Sequence, residues 1–144
     1  MKKRDILIII ILTIILAIAS ISTLERKPEI ENIYLSTDKD SDFDRLKLNK
    51  NNTFSSSTSG IYLIMKVKHL KIDNEIKVEW GKTEDNSIRM VLQESIFNPA
   101  KDGSGKIVVL LVKKNNTYAS GDYYVEINLN GNEKISEKFY INPD

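Results

Sequence analysis

The clearest indication of the fold is the C-terminal stretch GDYYVEINLNGNEKISEKFYI, residues 121–141. In its first half, apolar side chains occupy every second position: Tyr123, Val125, Ile127 and Leu129. The positions between them are polar, with the exception of Tyr124. Because the side chains of a strand point alternately to its two faces, this pattern predicts a strand with one buried face.

The loop of this hairpin follows from the same pattern. A two-residue turn at Asn130-Gly131 would place Ile127 opposite Lys134, with the apolar residues of the two strands on opposite faces. A loop of three or five residues instead puts both apolar sets on one face, with Gly131 or Asn132 in the left-handed conformation. We therefore predict a bulged hairpin that aligns Ile135, Phe139 and Ile141 with the buried face of the first strand.

Further strands are indicated upstream. Residues 76–80, 61–67 and 107–112 are rich in β-branched side chains, and the first of these ranges alternates strictly with charged positions. Residues 88–97 are ambiguous between helix and strand, and we interpret them as a strand because no N-cap box precedes them. Turn-prone residues separate these runs at intervals of roughly 8–15 residues, which predicts an all-β sandwich of about seven strands.

Trp80, Tyr123 and Val125 give the chain a resemblance to the immunoglobulin-like sandwiches of prokaryotic extracytoplasmic proteins. The resemblance implies that Trp80 is the core tryptophan of the third strand and that Tyr123 lies near the start of the sixth, two residues before Val125. Antibody domains have a cysteine at the position of Val125, so the resemblance implies the architecture and not antibody ancestry. It covers roughly residues 30–144, and architecture alone implies no particular activity.

The N-terminal segment predicts the location of the protein. Ile6–Leu24 contains no charged residue and follows the basic residues Lys2, Lys3 and Arg4. As a helix it would be roughly 28 Å long, close to the thickness of a bilayer core. Two interpretations are open: a signal anchor that stays in the membrane, or a signal peptide cleaved after Ala17-Ile18-Ala19. Either predicts that the rest of the chain is exported, and retention would make it single-pass with a cytoplasmic N-terminus.

The predicted organisation is a transmembrane or signal helix over 1–24, a charged stalk over 25–32 and a β-sandwich over 33–144. The chain has no cysteine, so no disulfide can stabilise the sandwich. Without Lys2, Lys3, Arg4 and Asp5, the 21 basic and 20 acidic residues become 18 and 19, a net charge of −1. That balance does not favour a nucleic-acid partner.

A carboxylate occurs at every second position in TDKDSDFD, residues 37–44: Asp38, Asp40, Asp42 and Asp44. Its start resembles the ligand spacing of a helix-loop-helix calcium site, but Phe43 replaces the required Gly and Asn49 the bidentate Glu. The segment is therefore either a calcium site or a solvated connection after the first strand. No other metal or cofactor is expected.

No catalytic constellation is evident. Residues 100–107 resemble a phosphate-binding loop but lack its first Gly and its metal-binding Ser or Thr. His69, the only histidine, has no motif beside it, and we interpret it as a strand-end residue. Asn51 and Asn115 begin N-x-Thr sequons. Residues 54–60 form a predicted polar loop. We expect Tyr118, Tyr124 and Tyr140 at the surface.

These observations favour a membrane-anchored or secreted binding module, an accessory or adhesive component of the cell envelope with a protein partner, and not an enzyme. The contact surface would be its loops or a free sheet edge. The alternative is a pilin-like filament subunit, which also joins an apolar N-terminal helix to a β-rich head. Such leaders are cut just before the apolar stretch, where this chain has Arg4-Asp5.

Overall fold

The computed structural model describes residues 26–84 and 88–144, which form a β-sandwich of two sheets. The elements in chain order are β1 (Glu29–Ser36), α1 (Phe43–Leu48), β2 (Thr53–Ser55), β3 (Ile61–Leu70), β4 (Ile76–Glu84), β5 (Ile88–Phe97), β6 (Gly103–Leu111), β7 (Gly121–Leu129) and β8 (Glu133–Asn142). The smaller sheet has the order β1-β3-β6, and the larger has the order β2-β8-β7-β4-β5.

The core lies between the two sheets. Alternate residues of the central strands fill it, including Leu63, Met65, Val78, Trp80, Val125, Ile127 and Phe139. All the neighbouring strands pair antiparallel except β2, which pairs parallel to β8 at Thr53↔Tyr140. The interpretation of residues 88–97 as a strand is confirmed by β5, which pairs with β4 from Ile88 to Phe97.

The hairpin prediction is confirmed. Leu129 pairs with Glu133, so the loop contains three residues, and Ile127 lies opposite Ile135. Asn130 and Gly131 both have positive φ, 54° and 74°, which places Gly131 in the left-handed conformation as expected. The loop is also held to the start of β4, because Asn130 and Glu75 exchange two hydrogen bonds of 2.9 Å.

Trp80 and Tyr123 have the structural positions that the resemblance implies, although the additional strand β2 makes their strands the fourth and the seventh. Trp80 on β4 is fully buried, and its ring meets Phe139 edge to face at 6.0 Å between centroids. Tyr123 lies near the start of β7, and its hydroxyl donates a 2.6 Å hydrogen bond to the carbonyl oxygen of Ala119. A tyrosine that bonds back to the backbone before its strand closes the corner of immunoglobulin-like sandwiches in this manner.

Three sequence expectations need correction. Residues 26–84 and 88–144 form eight strands and not seven, because the start of the predicted polar loop at 54–60 belongs to β2, where Phe54 is buried. The strand β1 begins at Glu29, so residues 29–32 of the predicted stalk pair with β3 instead. The connection after the first strand contains the short helix α1, which buries Leu46.

Residues 26–84 and 88–144 contain no helix long and apolar enough to span a membrane. The predicted membrane segment, Ile6–Leu24, lies outside the described residues.

Candidate binding surface

The four aspartates of residues 37–44 are exposed and have separate structural roles. Asp38 closes a turn, with its carboxylate accepting hydrogen bonds from the Asp40 backbone N–H and the Ser41 hydroxyl. Asp42 is the N-cap of α1, and its carboxylate accepts a 2.7 Å bond from the N–H of Arg45. Within the described ranges no group of three or more His, Cys, Asp or Glu is arranged to hold a metal ion, and calcium binding by Asp38, Asp40, Asp42 and Asp44 stays a prediction.

Hydrogen bonding to the Asp40 N–H holds the pKa of Asp38 below its usual value, with further help from Ser41 and from the charges of Arg45 and Lys106. The carboxylate is therefore kept ionised for the turn that it closes.

His69 lies in a bulge and not in regular strand. Its φ is +53°, and the register between β3 and β6 shifts between Val67 and Leu70. The backbone N–H of His69 donates to the hydroxyl of Ser104, which belongs to the glycine-rich stretch that resembled a phosphate-binding loop. That stretch leads into β6, a strand and not the helix that follows a phosphate-binding loop.

Two of the three tyrosines expected at the surface are buried. Tyr118 is 5% exposed, and its hydroxyl accepts from the Ile61 N–H and donates to the Leu111 carbonyl, which joins β3 to β6. Tyr124 is 2% exposed, although it lies on the outer face of the larger sheet. Tyr140, at 39%, is the one that remains at the surface. The expectation that the tyrosines supply a recognition surface is therefore wrong for Tyr118 and Tyr124.

One side of the sandwich is closed. The segment between β1 and β3 crosses it, with Leu46 of α1 and Phe54 of β2 both buried. The ring of Phe54 packs edge to face on Phe139 at 5.9 Å, which carries the core out to β2. The carboxylate of Glu137 on β8 is held from the same segment by Lys50 at 2.7 Å and by the Asn52 amide at 3.1 Å.

The opposite side is open and apolar. There β5 ends the larger sheet and β6 ends the smaller one, so neither has a strand neighbour on its outer side. Only residues 98–102 connect these two strands, and they contribute no further strand between the sheets. The two edge strands and the residue after β6 expose between 39% and 64% of six aliphatic side chains: Met90, Val91, Ile96, Val108, Leu110 and Val112. The strand pairings place Val91 and Ile96 on the outer face of the larger sheet and Val108 and Leu110 on the outer face of the smaller sheet, whereas Met90 and Val112 line the opening between the sheets.

One side chain bridges the two edges. The amide of Gln93 on β5 donates to the Leu110 carbonyl at 2.9 Å and accepts from the Val112 N–H at 2.8 Å. It thus satisfies the backbone groups of β6 as a neighbouring strand would. These contacts show that alternate backbone groups along β6 point towards the open side, where an added strand could reach them.

A cleft of about 360 Å³ runs into the sandwich beside Gln93. Its walls are mainly apolar and come from both edges: Met90, Leu92, Leu111, Val112, Tyr118 and Tyr123. Lys82 and Lys114 also line it. Burial raises the pKa values of Tyr118 and Tyr123, so both phenols stay neutral at physiological pH. The cleft can therefore accept an apolar side chain and offers cations at its rim.

The outer face of the larger sheet is charged and internally paired. Glu126 accepts from Arg89 at 3.1 Å and from Lys134 at 2.7 Å, and Lys77 pairs with Glu94 at 2.7 Å. The Arg89 guanidinium also lies 4.6 Å from the centre of the Tyr124 ring. This face already satisfies its own charges, which makes it a poorer contact surface than the open side.

The sequence predicts a free sheet edge as a contact surface but does not identify the residues of that edge. Alternation identifies Met90 or Val108 as strand residues, but only the order of strands in the sheets puts β5 and β6 at edges. Residues 88–92 and 107–112 are apolar on both faces. This pattern does not identify an edge strand, because a strand that is covered on both faces shows it as well.

Searches for related proteins found no matching family model and no matching curated protein. Among solved structures, the chain is similar to an immunoglobulin-like protein from Pseudomonas aeruginosa, with a TM-score of 0.52 and 10% identity over 83% of this chain and 99% of that one.

Two similar structures are larger proteins. A β-glucosidase from Listeria innocua matches with a TM-score of 0.46 and 8% identity over 82% of this chain and 16% of that one. The alkylpurine DNA glycosylase AlkC from Pseudomonas fluorescens matches with a TM-score of 0.43 and 10% identity over 80% and 30%. At this identity the Pseudomonas aeruginosa structure supports the fold alone: the chain has an immunoglobulin-like β-sandwich.

Proposed function

We propose that this chain is an immunoglobulin-like binding module, held outside a membrane by residues 6–24, that acts by binding a protein partner and not by catalysis. The apolar length of Ile6–Leu24 and the basic residues before it support this location. Cleavage after Ala19 would release the same module in secreted form.

The observation that carries the binding proposal is the open side, where the edges of β5 and β6 have no strand neighbour among the described residues and an apolar cleft lies between them. Sheet edges of soluble proteins are commonly protected by charge, proline or a covering segment, because an exposed edge is a template for another strand. The opposite side of this sandwich has such a cover in α1 and β2, whereas β5 and β6 do not. The partner would be an extended protein segment that pairs with an edge and places an apolar side chain in the cleft.

Site-specific photo-crosslinking in the native host tests this proposal. A photoreactive amino acid replaces Val91 or Val108 on the open side, or Lys138 on the outer face of β8 as the matched control. We expect the same discrete heterologous adduct from Val91 and Val108 and none from Lys138. Equal adducts from all three positions, or none from the open side, would contradict the proposal.

Substitution provides the second arm. Val112→Lys places a charge on the open side, and Tyr140→Lys places one at an exposed apolar position near the covered edge. Both variants are first checked for unchanged thermal unfolding. We expect Val112→Lys to abolish the Val91 adduct and Tyr140→Lys to leave it intact, because burying an unpaired lysine in an interface is costly.

A further inference from the structure

A second surface lies on the outer face of the smaller sheet, where the described chain begins. A cavity of about 500 Å³ is lined there by Arg26, Lys66, Lys68, His69 and Lys106, together with Phe43 and short stretches of β3 and β6. We call these five residues the basic face. Lys66 and Lys106 occupy paired positions of neighbouring strands, so their side chains emerge side by side.

Local contacts hold the basic face in place. Lys66 and Lys68 both bind the Glu31 carboxylate, at 3.1 and 3.0 Å, and Lys106 donates to the Ser41 carbonyl at 2.8 Å. Hydrogen bonds from Lys68 and Lys66 lower the pKa of Glu31, which stays ionised. The acidic run 38–44 also reaches this region, because Phe43 lines the cavity and Ser41 accepts from Lys106. Residues 26–31 and 38–47 with Lys66, Lys68 and Lys106 contain eight Lys or Arg and six Asp or Glu, so the region keeps a net charge of +2, although residues 25–144 as a whole have −1.

The basic face lies close in sequence to the predicted membrane segment. Arg26 lines the cavity, and only Glu25 separates it from the predicted membrane segment that ends at Leu24. A residue two positions beyond a membrane segment lies at the headgroup level. The cavity that Arg26 lines must then lie within a few ångströms of the membrane surface.

We propose that the basic face rests on the anionic lipid headgroups of the leaflet from which the sandwich emerges, and that this contact fixes the sandwich against the membrane. This inference rests on the proposed membrane anchor. Each Lys or Arg close to an anionic surface strengthens the attraction by about fivefold, and the effect decays within a Debye length. The cleft between β5 and β6 is lined by Leu111 and Val112, at the other end of β6 from Lys106, and stays accessible to a partner.

The absence of cysteine allows a single label to test the contact. Asn32→Cys carries a spin label on the exposed outer face of β1, opposite Lys66, and Ser136→Cys carries it on the larger sheet as the control. The full chain is reconstituted in nanodiscs of neutral phosphatidylcholine, or of the same lipid with phosphatidylglycerol. Accessibility of each label to a water-soluble paramagnetic relaxer is measured at low salt and in 0.5 M NaCl, where the ionic strength is enough to screen exposed charges.

We expect the label at position 32 to lose accessibility in anionic nanodiscs only, and to regain it in high salt. The triple variant Arg26→Gln, Lys68→Gln, Lys106→Gln should lower the ratio of resting to free sandwiches by about a hundredfold and so restore accessibility. The matched variant Lys77→Gln, Lys134→Gln, Lys138→Gln changes the net charge equally on the opposite sheet, and it should leave the protection unchanged.

The failures of the two proposals are distinguishable. A chain that alkaline carbonate extracts from vesicles has no membrane anchor, which overturns the anchor of the proposed function and the lipid contact that rests on it, but not the binding of a partner. A retained chain whose label at position 32 is equally accessible in the two lipid compositions overturns only the lipid contact. Equal protection by inorganic phosphate in neutral nanodiscs would also overturn it, since the cavity would then recognise free anions.

Discussion

Gly81 makes room for Tyr124, a large aromatic side chain that is buried on the outer face of the larger sheet. It lies opposite Tyr124 in the β4–β7 pairing, and the Tyr124 ring lies directly over it. A Cβ added at Gly81 would be 2.1 Å from Cζ of that ring, far inside van der Waals contact. The missing side chain therefore explains how Tyr124 is buried at a position where alternation predicts exposure. There it donates to Glu79 at 3.2 Å.

Gly81→Ala should lower the free energy of unfolding by about 1–3 kcal/mol, because the ring must leave its place and lose its contacts with Glu79 and Arg89. Urea unfolding of the single variants and of the double variant with Tyr124→Ala measures the coupling. In the Tyr124→Ala background the same change at Gly81 should cost much less. Additive effects of the two substitutions would contradict the packing described.

Glu126 makes stability depend on acid pH. Burial opposes its ionisation, but the hydrogen bonds and charges of Lys134 and Arg89 outweigh burial and hold the pKa below its ordinary value. A carboxylate with a lowered native pKa stabilises the fold above the unfolded pKa, about 4.3 for Glu, and that stability is lost as the pH falls through the native pKa.

Glu126→Gln should therefore cost about 1 kcal/mol at pH 7 and less at pH 3, which lies below the unfolded pKa, where stability from a lowered native pKa is being lost. Glu94→Gln removes a carboxylate with one lysine partner at a more exposed position, and it should cost only a few tenths of a kcal/mol. Denaturant unfolding at both pH values measures the difference. A constant gap between wild type and Glu126→Gln from pH 7 to pH 3 would show that ionisation of this carboxylate is not involved.

At the level of elements, the alternation of apolar residues predicted the long strands and the length of the last loop. Tyr123 and Val125 could be assigned to the core because period-two patterns persist over nine residues in β7. The pattern did not predict two short elements, β2 and α1. The strand β2 has three residues and depends on its parallel partner β8, and α1 has six, too few for a helical period to emerge. The sequence feature that indicates α1 is Asp42 as the N-cap, followed by apolar residues at Phe43 and Leu46.

The last hairpin should tolerate a shorter loop, because the apolar pattern of β8 fixes its register. Deleting Asn132 leaves Asn130-Gly131 as a favoured two-residue turn between Leu129 and Glu133, so Ile127 stays opposite Ile135 and we expect only a small loss of stability. Gly131→Ala should cost about 1 kcal/mol, because nothing lies within 4 Å of the added Cβ and only the positive φ is penalised. Thermal unfolding measures both variants, and a loss of more than about 4 kcal/mol for the deletion would mean that it shifts β8 out of register.

The acidic segment can be tested by adding calcium. Asp38 and Asp42 already use their carboxylates in the turn and the cap, so we expect no change in melting temperature with millimolar calcium. A bound ion at a hundred times its dissociation constant would add about 2.7 kcal/mol, a shift of several degrees. Asp40→Asn with Asp42→Asn is the matched variant, since Asn also serves as an N-cap. A shift in the wild type that this variant lacks would establish a calcium site.

At the scale of the whole molecule, the sandwich has two unlike sides: α1 and β2 cover one, and the other exposes the edges of β5 and β6. This asymmetry could not be predicted from the sequence, because the edge positions of Val91 and Val108 depend on pairings between distant strands. The His69 bulge and the basic face beside it have the same origin. Composition alone, with a net charge of −1 over residues 25–144, does not reveal that local excess of positive charge.

The most direct test concerns the orientation of the whole chain. Because the protein lacks cysteine, Ser136→Cys in intact cells can be treated with a membrane-impermeant maleimide, with a cysteine after Met1 as the cytoplasmic control. A sandwich displayed outside a membrane predicts labelling at position 136 before lysis, labelling of the N-terminal cysteine only after lysis, and retention of the protein in the carbonate-washed membrane. Labelling at position 136 only after lysis would contradict an exported binding module.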